Sequence, residues 1–414
     1  MSVAEVEEGP IGRPVEPSRS RGAITRRWWI VAIAGLALVS LVRIITGAQN
    51  LTSVGAIQSA LTAAVPIALA GLAGLWSERA GIVNIGLEGM MVLGTFGTGF
   101  VGYNHGPWLG ILAGVGCGAL GGLLLGLATV TFGVDHIIAG VAISIVAPGM
   151  ALFVAQLQFG GQQSPPVADV FRITIPGLSS WLTTLAGKGW FLVSDLAGFV
   201  GGLITHLSAL TLLAAIITVV SGWILWRTRF GLRLRSCGEA PYAAESLGVN
   251  VIRYKYLAVL ISGAIAGLGG AFLVVGLNFQ NGQTAGRGYI GLASLIFGNW
   301  RPGGMAAGAV LFGYTDGVHL FDPTGKAMHA FVLLVAIALF LYAALQFRTK
   351  QITIAIVSLV IAALSLVWFL TTDSLPSQLV PAAPYVITLL VMALASQRLR
   401  PPKADGQPYR KGSH

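Results

Sequence analysis

Long apolar stretches alternate with short polar ones along most of the 414-residue chain. About 20 apolar residues are enough for an α-helix to cross a bilayer, so the pattern predicts an all-α polytopic membrane protein. Twelve spans are expected, near residues 28–47, 55–76, 82–103, 108–131, 135–157, 207–226, 256–277, 286–300, 303–320, 328–346, 352–371 and 378–397. The eighth is short and rich in glycine, which makes it the weakest of the twelve.

The composition supports this interpretation. The chain is 55% hydrophobic and only 10% charged, whereas soluble domains carry about 25% charged residues. Its 56 glycines suit membrane helices that pack closely. Cys117 and Cys237 lie in an apolar stretch and a basic loop, a spacing typical of neither a disulfide framework nor a metal site.

The basic residues predict the orientation. They cluster before the first span, after the sixth, between the tenth and eleventh, and after the twelfth. Twelve crossings put all four clusters on one side, and clusters of this kind mark the cytoplasmic side. We therefore expect a membrane domain over 28–397, with tails at 1–27 and 398–414 and a loop at 227–255 in the cytoplasm. Residues 158–206 form an external connection, and the composition of both tails favours disorder.

The clustering of the basic residues also indicates which kind of partner to expect. A net charge of +10 could indicate nucleic-acid binding. Since the charges flank apolar stretches, they indicate contact with membrane lipid instead, and no nucleic acid is expected.

Two apolar segments are interrupted by polar and glycine residues, namely ERAGIVNIGLEGMM (78–91) and NGQTAGRGYIGLASLIFGNWRPGGM (281–305). Irregular backbone at membrane depth is tolerated only inside protein or beside a wet cavity. Interrupted helices in both halves of a chain point to a transporter's central site. The candidate residues of a substrate path are Asn84, Glu88, Phe279, Asn281 and Trp300.

Each candidate also has a structural interpretation, and these alternatives stay open. Glu78 and Arg79 suit the level of the lipid headgroups. Glu88 could pair with a neighbouring helix, since a buried carboxylate needs a partner or water. Phe279 and Asn281 could be ordinary residues of an external loop.

The loop at 227–256 contains a short predicted helix. Pro241 stands in its first turn and Gly248 ends it, an arrangement typical of helix boundaries. A helix held between two spans and flanked by basic residues suits docking of a cytoplasmic partner. The alternative is a basic loop that only faces lipid.

A chain of this kind is a transporter, a channel or an intramembrane enzyme. Motifs for a zinc protease, a serine hydrolase or a phosphate-binding loop are missing from the sequence. No catalytic or metal-binding residues are therefore expected, and ATP, if used, would bind to another chain. A secondary transporter needs carboxylates in mid-membrane, for which Glu88 and Asp316 are the candidates. A non-transporting scaffold fits poorly with two interrupted helices.

Several motifs resemble the permease subunits of bacterial ABC importers. They are GLWSERAGIVNIGLEGMMVLG, GLRLRSCGEAPYAAESLGVNVIRYKYLAVLISGAIAGLGGA, GRGYIGLASLIFGNWRPGGMAAGAVLFG and PYVITLLVMALASQRLRPP. The resemblance covers roughly residues 50–320 and 378–400 and is greatest to the simple-sugar and nucleoside branch. ERAGIVNIGLEG is typical of nucleoside permeases, and ribose- or galactose-type sugars are the alternative substrates.

The resemblance implies a type II ABC importer-like permease in the bacterial plasma membrane, working by alternating access. The implied partners are ATP-binding subunits that use ATP and Mg²⁺, a second homologous permease and an extracytoplasmic substrate-binding lipoprotein. In this family the matching loop holds a coupling helix that inserts into the ATPase. Its motif positions here are Glu239, Ala243, Ala244, Glu245 and Gly248.

One feature departs from the family pattern of about ten spans. The segments 328–346 and 352–371 form two further spans, which we interpret as an inserted hairpin over 328–371. A hairpin preserves the orientation of everything that follows it. A peripheral structural role is expected, with altered partner contacts as the alternative.

Overall fold

The computed structural model describes residues 21–322, 325–373 and 399–410. The long helices are α1 (Arg21–Thr46), α2 (Val54–Glu78), α3 (Leu87–His105), α4 (Pro107–Gly126), α5 (His136–Phe159), α8 (Ala209–Arg227), α11 (Val251–Val274), α13 (Pro302–Phe321), α14 (Lys326–Arg348) and α15 (Ile352–Thr371). The shorter ones are α6 (Leu178–Gly187), α7 (Val193–Ile204), α9 (Arg229–Glu239), α10 (Pro241–Ser246) and α12 (Arg287–Phe297). Strands β1 (Arg172–Ile173) and β2 (Leu207–Ser208) pair antiparallel.

The described residues confirm an all-α polytopic membrane protein. Seven of their helices are long and apolar enough to cross a bilayer: α2, α4, α5, α8, α11, α14 and α15. The predicted span at 378–397 lies outside the described residues, as do residues 1–20 of the N-terminal tail. The total of twelve crossings therefore stays a prediction.

Helix α2 lies at the centre of the bundle, where it packs against α11, α12 and α13. Around it, α3, α4 and α11 approach one another through glycines. A methyl group on Gly94 of α3 would lie 2.3 Å from the carbonyl oxygen of Gly267 on α11. The same addition to Gly118 of α4 would lie 2.3 Å from the Gly263 oxygen. The glycine content thus serves close helix packing, as expected for a membrane bundle.

The eighth predicted span is not a full helix. The 11 residues of α12 extend about 16 Å at the α-helical rise, roughly half of a hydrocarbon core of about 30 Å. The loop at 275–286 completes the connection. It pairs with the 158–206 segment through Val167 and Leu277, while α12 ends beside Arg79 at the opposite end of α2. We call the end that meets the 158–206 segment the cap end. The end beside Arg79 is the loop end.

Residues 158–206, the predicted external connection, form a folded segment that we call the cap. Helices α6 and α7 both lie within it, and β1 pairs with β2, which directly follows it. This cap is tied to α1 by a buried ion pair between Arg43 and Asp195 at 2.8 Å. Asp195 also accepts a hydrogen bond from Thr52. The cap is therefore anchored on the ends of α1 and α2.

Among the described residues, the hairpin of α14 and α15 is peripheral only in its second half. The start of α14 forms an apolar cluster with α1, with the turn at Gln49–Leu51 and with α13. Val42, Leu51, Val318 and Phe331 are buried in this cluster. Helix α15 packs mainly on α14. The expectation of a wholly peripheral hairpin is therefore wrong for α14.

The C-terminal segment 399–410 is folded against the loop end, although its composition predicted disorder. The amide of Ala404 donates to the Gly238 carbonyl at 2.9 Å, and Tyr409 is buried. The prediction from composition is wrong here because contacts with a folded surface can order a short polar segment.

Candidate translocation and coupling site

The break between α2 and α3 spans residues 79–86 and is enclosed by protein. Gly81 adopts a left-handed conformation with φ +80°, which costs glycine little. Its carbonyl accepts from the Lys255 ammonium at 3.1 Å. The Ile85 carbonyl accepts from the Ser144 hydroxyl at 3.2 Å. These side chains from α11 and α5 satisfy backbone groups that an unbroken helix would have paired internally.

Asn84 stands in this break and is fully buried. Its amide nitrogen donates to the Ser262 hydroxyl of α11 at 2.9 Å. Its amide oxygen has no hydrogen-bond partner among the described residues. A buried acceptor without a partner is costly, so this oxygen is available to a donor that enters the bundle. Whether Asn84 lines the path stays a prediction.

Glu88, in the first turn of α3, caps the start of the half-helix α12. One carboxylate oxygen accepts from the Thr284 hydroxyl at 2.6 Å and the Gly286 amide at 2.9 Å. The other accepts from the Gly288 amide at 2.7 Å. Free amides and the helix dipole make an N-terminus a favourable place for an anion. Glu88 thus pairs with a neighbouring helix, which is the structural alternative that the sequence analysis left open. Its role in the substrate path stays a prediction.

Glycine at position 288 is what lets α3 and α12 meet. A Cβ there would lie 2.6 Å from the backbone of Glu88. Nearby, Arg287 forms an ion pair with Asp316 of α13 at 2.7 Å. Both carboxylates that a secondary transporter could use for ion coupling therefore already hold protein partners.

Phe279 and Asn281 lie apart from this centre. Phe279 is 1% exposed and its ring meets that of Phe96 edge-on at 5.8 Å. Its carbonyl accepts from the Ser164 amide at 3.1 Å, which ties the loop to the cap. Asn281 is exposed in the same loop. The structure therefore places one candidate in an apolar cluster and the other on the surface.

Trp300 lies at the loop end, away from Asn84 and Glu88. Its indole donates to the Glu78 carboxylate, and its carbonyl accepts from the Arg79 guanidinium at 2.6 and 3.1 Å. Glu78 is only 3% exposed, so its carboxylate is enclosed by protein, and its expected level among the lipid headgroups stays a prediction. The contacts of Trp300 join the α12–α13 turn to the end of α2.

Helices α9 and α10 form the predicted coupling loop. Pro241 begins α10, and Gly248, with φ +80°, follows its last turn. Ala244 is buried against the protein, whereas Ala243 faces outward. Leu247 is 85% exposed, an unusual state for a large apolar side chain beside a folded surface. The exposed side of α10 is thus suited to another protein.

The two predicted carboxylates of the coupling motif contact other parts of this chain, although Glu239 remains exposed on one side. Glu239 lies 3.7 Å from Arg79 at the end of α2, and Glu245 interacts with Tyr409 of the tail. Glu239 therefore connects the coupling loop to the residue that also holds Trp300. The spacing of residues in the sequence could not show this link from Glu239 through Arg79 to Trp300, because Arg79 and Trp300 are far apart along the chain.

A polar cavity of about 130 Å³ at the cap end was not anticipated. It lies between the cap, α2, α8 and α11. Its polar lining includes Gln58, Thr62, Asp169, Arg172, His206 and Thr211. Asp169 and Arg172 are paired at 2.7 Å, so the cavity presents mainly amide, hydroxyl and imidazole groups.

Comparison with known proteins assigns the family. Residues 56–341 match the family described as branched-chain amino acid transport system / permease component. This range contains most of α14, which the sequence interpretation had placed in an insertion. No solved structure matches the chain significantly.

Similar relatives cover most of the chain. The guanosine ABC transporter permease protein NupQ of Bacillus subtilis is 32% identical over 86% of this chain and 96% of its own length. The nucleoside ABC transporter permease protein NupC of Lactococcus lactis is 33% identical, covering 84% and 93%. The putative glucose ABC transporter permease protein TsgC13 of Haloferax volcanii is 33% identical, covering 64% and 77%.

Each of the first two bacteria also has a second, more distant relative of this chain. In B. subtilis it is a further guanosine permease protein, NupP, at 26% identity; in L. lactis it is a further nucleoside permease protein, NupB, at 22%. From the family match and these relatives, the chain belongs to the permease-component family of ABC transporters to which the branched-chain amino acid permeases belong.

Proposed function

We propose that this chain is a permease subunit of an ATP-driven nucleoside importer. The observation that carries the proposal is its identity of 32% and 33% to relatives named as guanosine and nucleoside permeases, over almost their full length. In the part of the bundle that the structure describes, the few buried charged groups hold protein partners, as Glu88 does, which suits a neutral substrate.

The coupling loop supports a division of labour between subunits. ATP-binding subunits, which use ATP and Mg²⁺, would dock on the exposed side of α10, while this chain holds no cofactor of its own. By the positive-inside rule, the loop end and both termini would then lie in the cytoplasm. A second, homologous permease is supported by the paired relatives in B. subtilis and L. lactis. A substrate-binding lipoprotein would meet the cap.

Alternating access would use the contacts at the loop end. Glu239 of α9 faces Arg79, and Arg79 binds the carbonyl of Trp300. Movement of α10 would therefore reach α2 and the α12–α13 turn together. Glu88 fastens α12 to α3, so the interrupted segments would move as one unit. ATP and the lipoprotein drive such a change only if they bind the two states with different affinity.

A sugar is the second candidate substrate. The glucose-permease relative has the same identity of 33% as the nucleoside relative, but covers less of the chain. Ribose carries hydroxyl groups like those of a nucleoside, so the same polar side chains could bind either. Sugars and nucleosides must therefore be distinguished by measurement.

Uptake of radiolabelled guanosine, glucose and ribose by cells with and without this chain tests the proposal. We expect loss of guanosine uptake on deletion, restoration by the intact chain, and competition by other nucleosides but not by glucose. Loss of sugar uptake alone would favour the second candidate. Transport by the purified chain in liposomes without ATP-binding subunits would contradict an ATP-driven importer.

A further inference from the structure

The C-terminal segment 399–410, which we call the tail strap, crosses the loop end and contacts three elements. The amide of Arg400 donates to the Asn299 side chain, in the α12–α13 turn, at 2.8 Å. The amide of Ala404 donates to the Gly238 carbonyl at 2.9 Å. Its carbonyl oxygen packs so close to Gly81 that a Cβ at Gly81 would lie 3.1 Å away. The strap thus touches α9 and both interrupted segments.

Tyr409 seats the far end of the strap. It is 9% exposed and shares an apolar cluster with Cys237, Ala244 and Val251, from α9, α10 and α11. Its ring lies 5.4 Å from that of Tyr242 on α10, and its hydroxyl interacts with the Glu245 carboxylate. Three residues of α10 therefore meet this one side chain.

Helix α10 depends on such contacts for its position. It has six residues, far fewer than an isolated helix needs to persist in water. Its inward residue Ala244 rests in the Tyr409 cluster, while Ala243 and Leu247 face outward. The orientation of the exposed side of α10 therefore depends on the surface on which α10 packs.

We propose that the tail strap is part of the coupling device, and that Tyr409 is a positioning residue that holds α10 for the ATP-binding partner. This inference rests on the proposed function for the identity of the partner. The seating of the strap does not rest on it, and the two are tested separately.

Cys237 reports the seating of the strap. Its thiol is fully buried in the Tyr409 cluster, and burial raises its pKa to about 11, so it should react slowly with maleimides. In the purified full-length protein carrying Cys117→Ala, it is the one remaining thiol. We expect Tyr409→Ala to raise its labelling rate about tenfold or more, because loss of a buried aromatic ring weakens the strap. Tyr409→Phe keeps the ring and should stay near the parent rate.

Coupling is then measured with the complete importer in liposomes. Tyr409→Ala should lower substrate uptake per ATP hydrolysed several-fold, and Tyr409→Phe should retain most of it. Thermal unfolding of each variant shows whether the bundle is intact. If Tyr409→Ala is well folded yet couples normally, or if Cys237 labelling is unchanged, the inference is overturned. If the unaltered chain binds no ATP-binding subunit, the proposed function fails and the coupling role fails with it.

Discussion

At the scale of single residues, the polar groups buried in the bundle act mainly on backbone ends. Glu88 binds the first amides of α12, Lys255 binds the carbonyl of Gly81, and Ser144 binds that of Ile85. Each satisfies a group that the interruption of a helix leaves without an internal partner. Buried polar residues in a membrane protein can therefore be structural as well as functional.

Replacing Glu88 tests both roles. Glu88→Gln removes the charge at the start of α12 and should lower the free energy of unfolding by about 1–3 kcal/mol, the usual cost of leaving buried hydrogen-bonding groups unsatisfied. Thermal unfolding in detergent measures this. Asn281→Ala, on the exposed loop, should change it by less than about 0.5 kcal/mol. If folded Glu88→Gln and Asn84→Ala variants import with unchanged rate and preference, neither side chain lines the path.

Asp405 makes seating of the strap depend on pH. Burial raises the pKa of its carboxyl group to about 7, although the positive charges of Lys255 and Arg79 act to lower this pKa. Glu78 lies close enough to interact with Asp405 electrostatically. A free aspartate titrates near 3.9, so the seated strap holds a proton that the free strap releases. Seating therefore weakens as pH rises from about 4 to about 7 and is constant above that.

The ratio of Cys237 labelling rates in the parent and in Asp405→Asn measures this effect. The asparagine variant cannot titrate at this position, and both proteins share the intrinsic pH dependence of the thiol. We expect the ratio to rise between pH 5 and about 7.5. A ratio that stays flat across this range would show that Asp405 does not control the strap.

At the scale of elements, a buried ion pair is the charged contact that fastens the cap to α1. Arg43 is 2% exposed and Asp195 is 0% exposed, in contrast to Arg172 and Asp169, whose side chains are 53% and 39% exposed. Removing one member of a buried pair leaves the other charge without compensation, whereas exposed pairs contribute little.

Asp195→Ala should therefore destabilise the protein by about 3–5 kcal/mol. Asp169→Ala, the matched change in the exposed pair, should cost about 1 kcal/mol or less. Thermal unfolding compares the two, and proteolysis of the cap shows where the Asp195 variant opens. Equal effects of both changes would mean that the buried pair does not anchor the cap.

At the scale of the whole molecule, the loop end joins distant parts of the chain. Glu239, Arg79 and Trp300 link α9, α2 and α13, and the tail strap crosses the same surface. Glu245 faces inward to Tyr409, so it is a poor probe of a partner's surface. Leu247, at 85% exposure, is a better one.

Leu247→Glu should weaken co-purification of ATP-binding subunits by about tenfold or more, as expected for an exposed apolar anchor placed in a partner's pocket. The stability of the permease itself should not change, because Leu247 makes few contacts within the chain. Ser246→Ala, at the neighbouring exposed position, is the matched control. Undiminished binding by Leu247→Glu would place the partner's contact elsewhere.

The sequence alone determined the membrane class, the positions of most described long helices, the short helix at 241–246 and the family. These follow from local properties, namely the length of apolar stretches, proline and glycine at helix ends, and motif order. Only the tertiary structure decided that α12 is a half-helix capped by Glu88, that Trp300 meets Glu78 and Arg79, and that the tail strap is seated. Those contacts join residues as far apart as Gly81 and Ala404, roughly 320 positions along the chain. Burial and geometry, rather than residue type, select such partners.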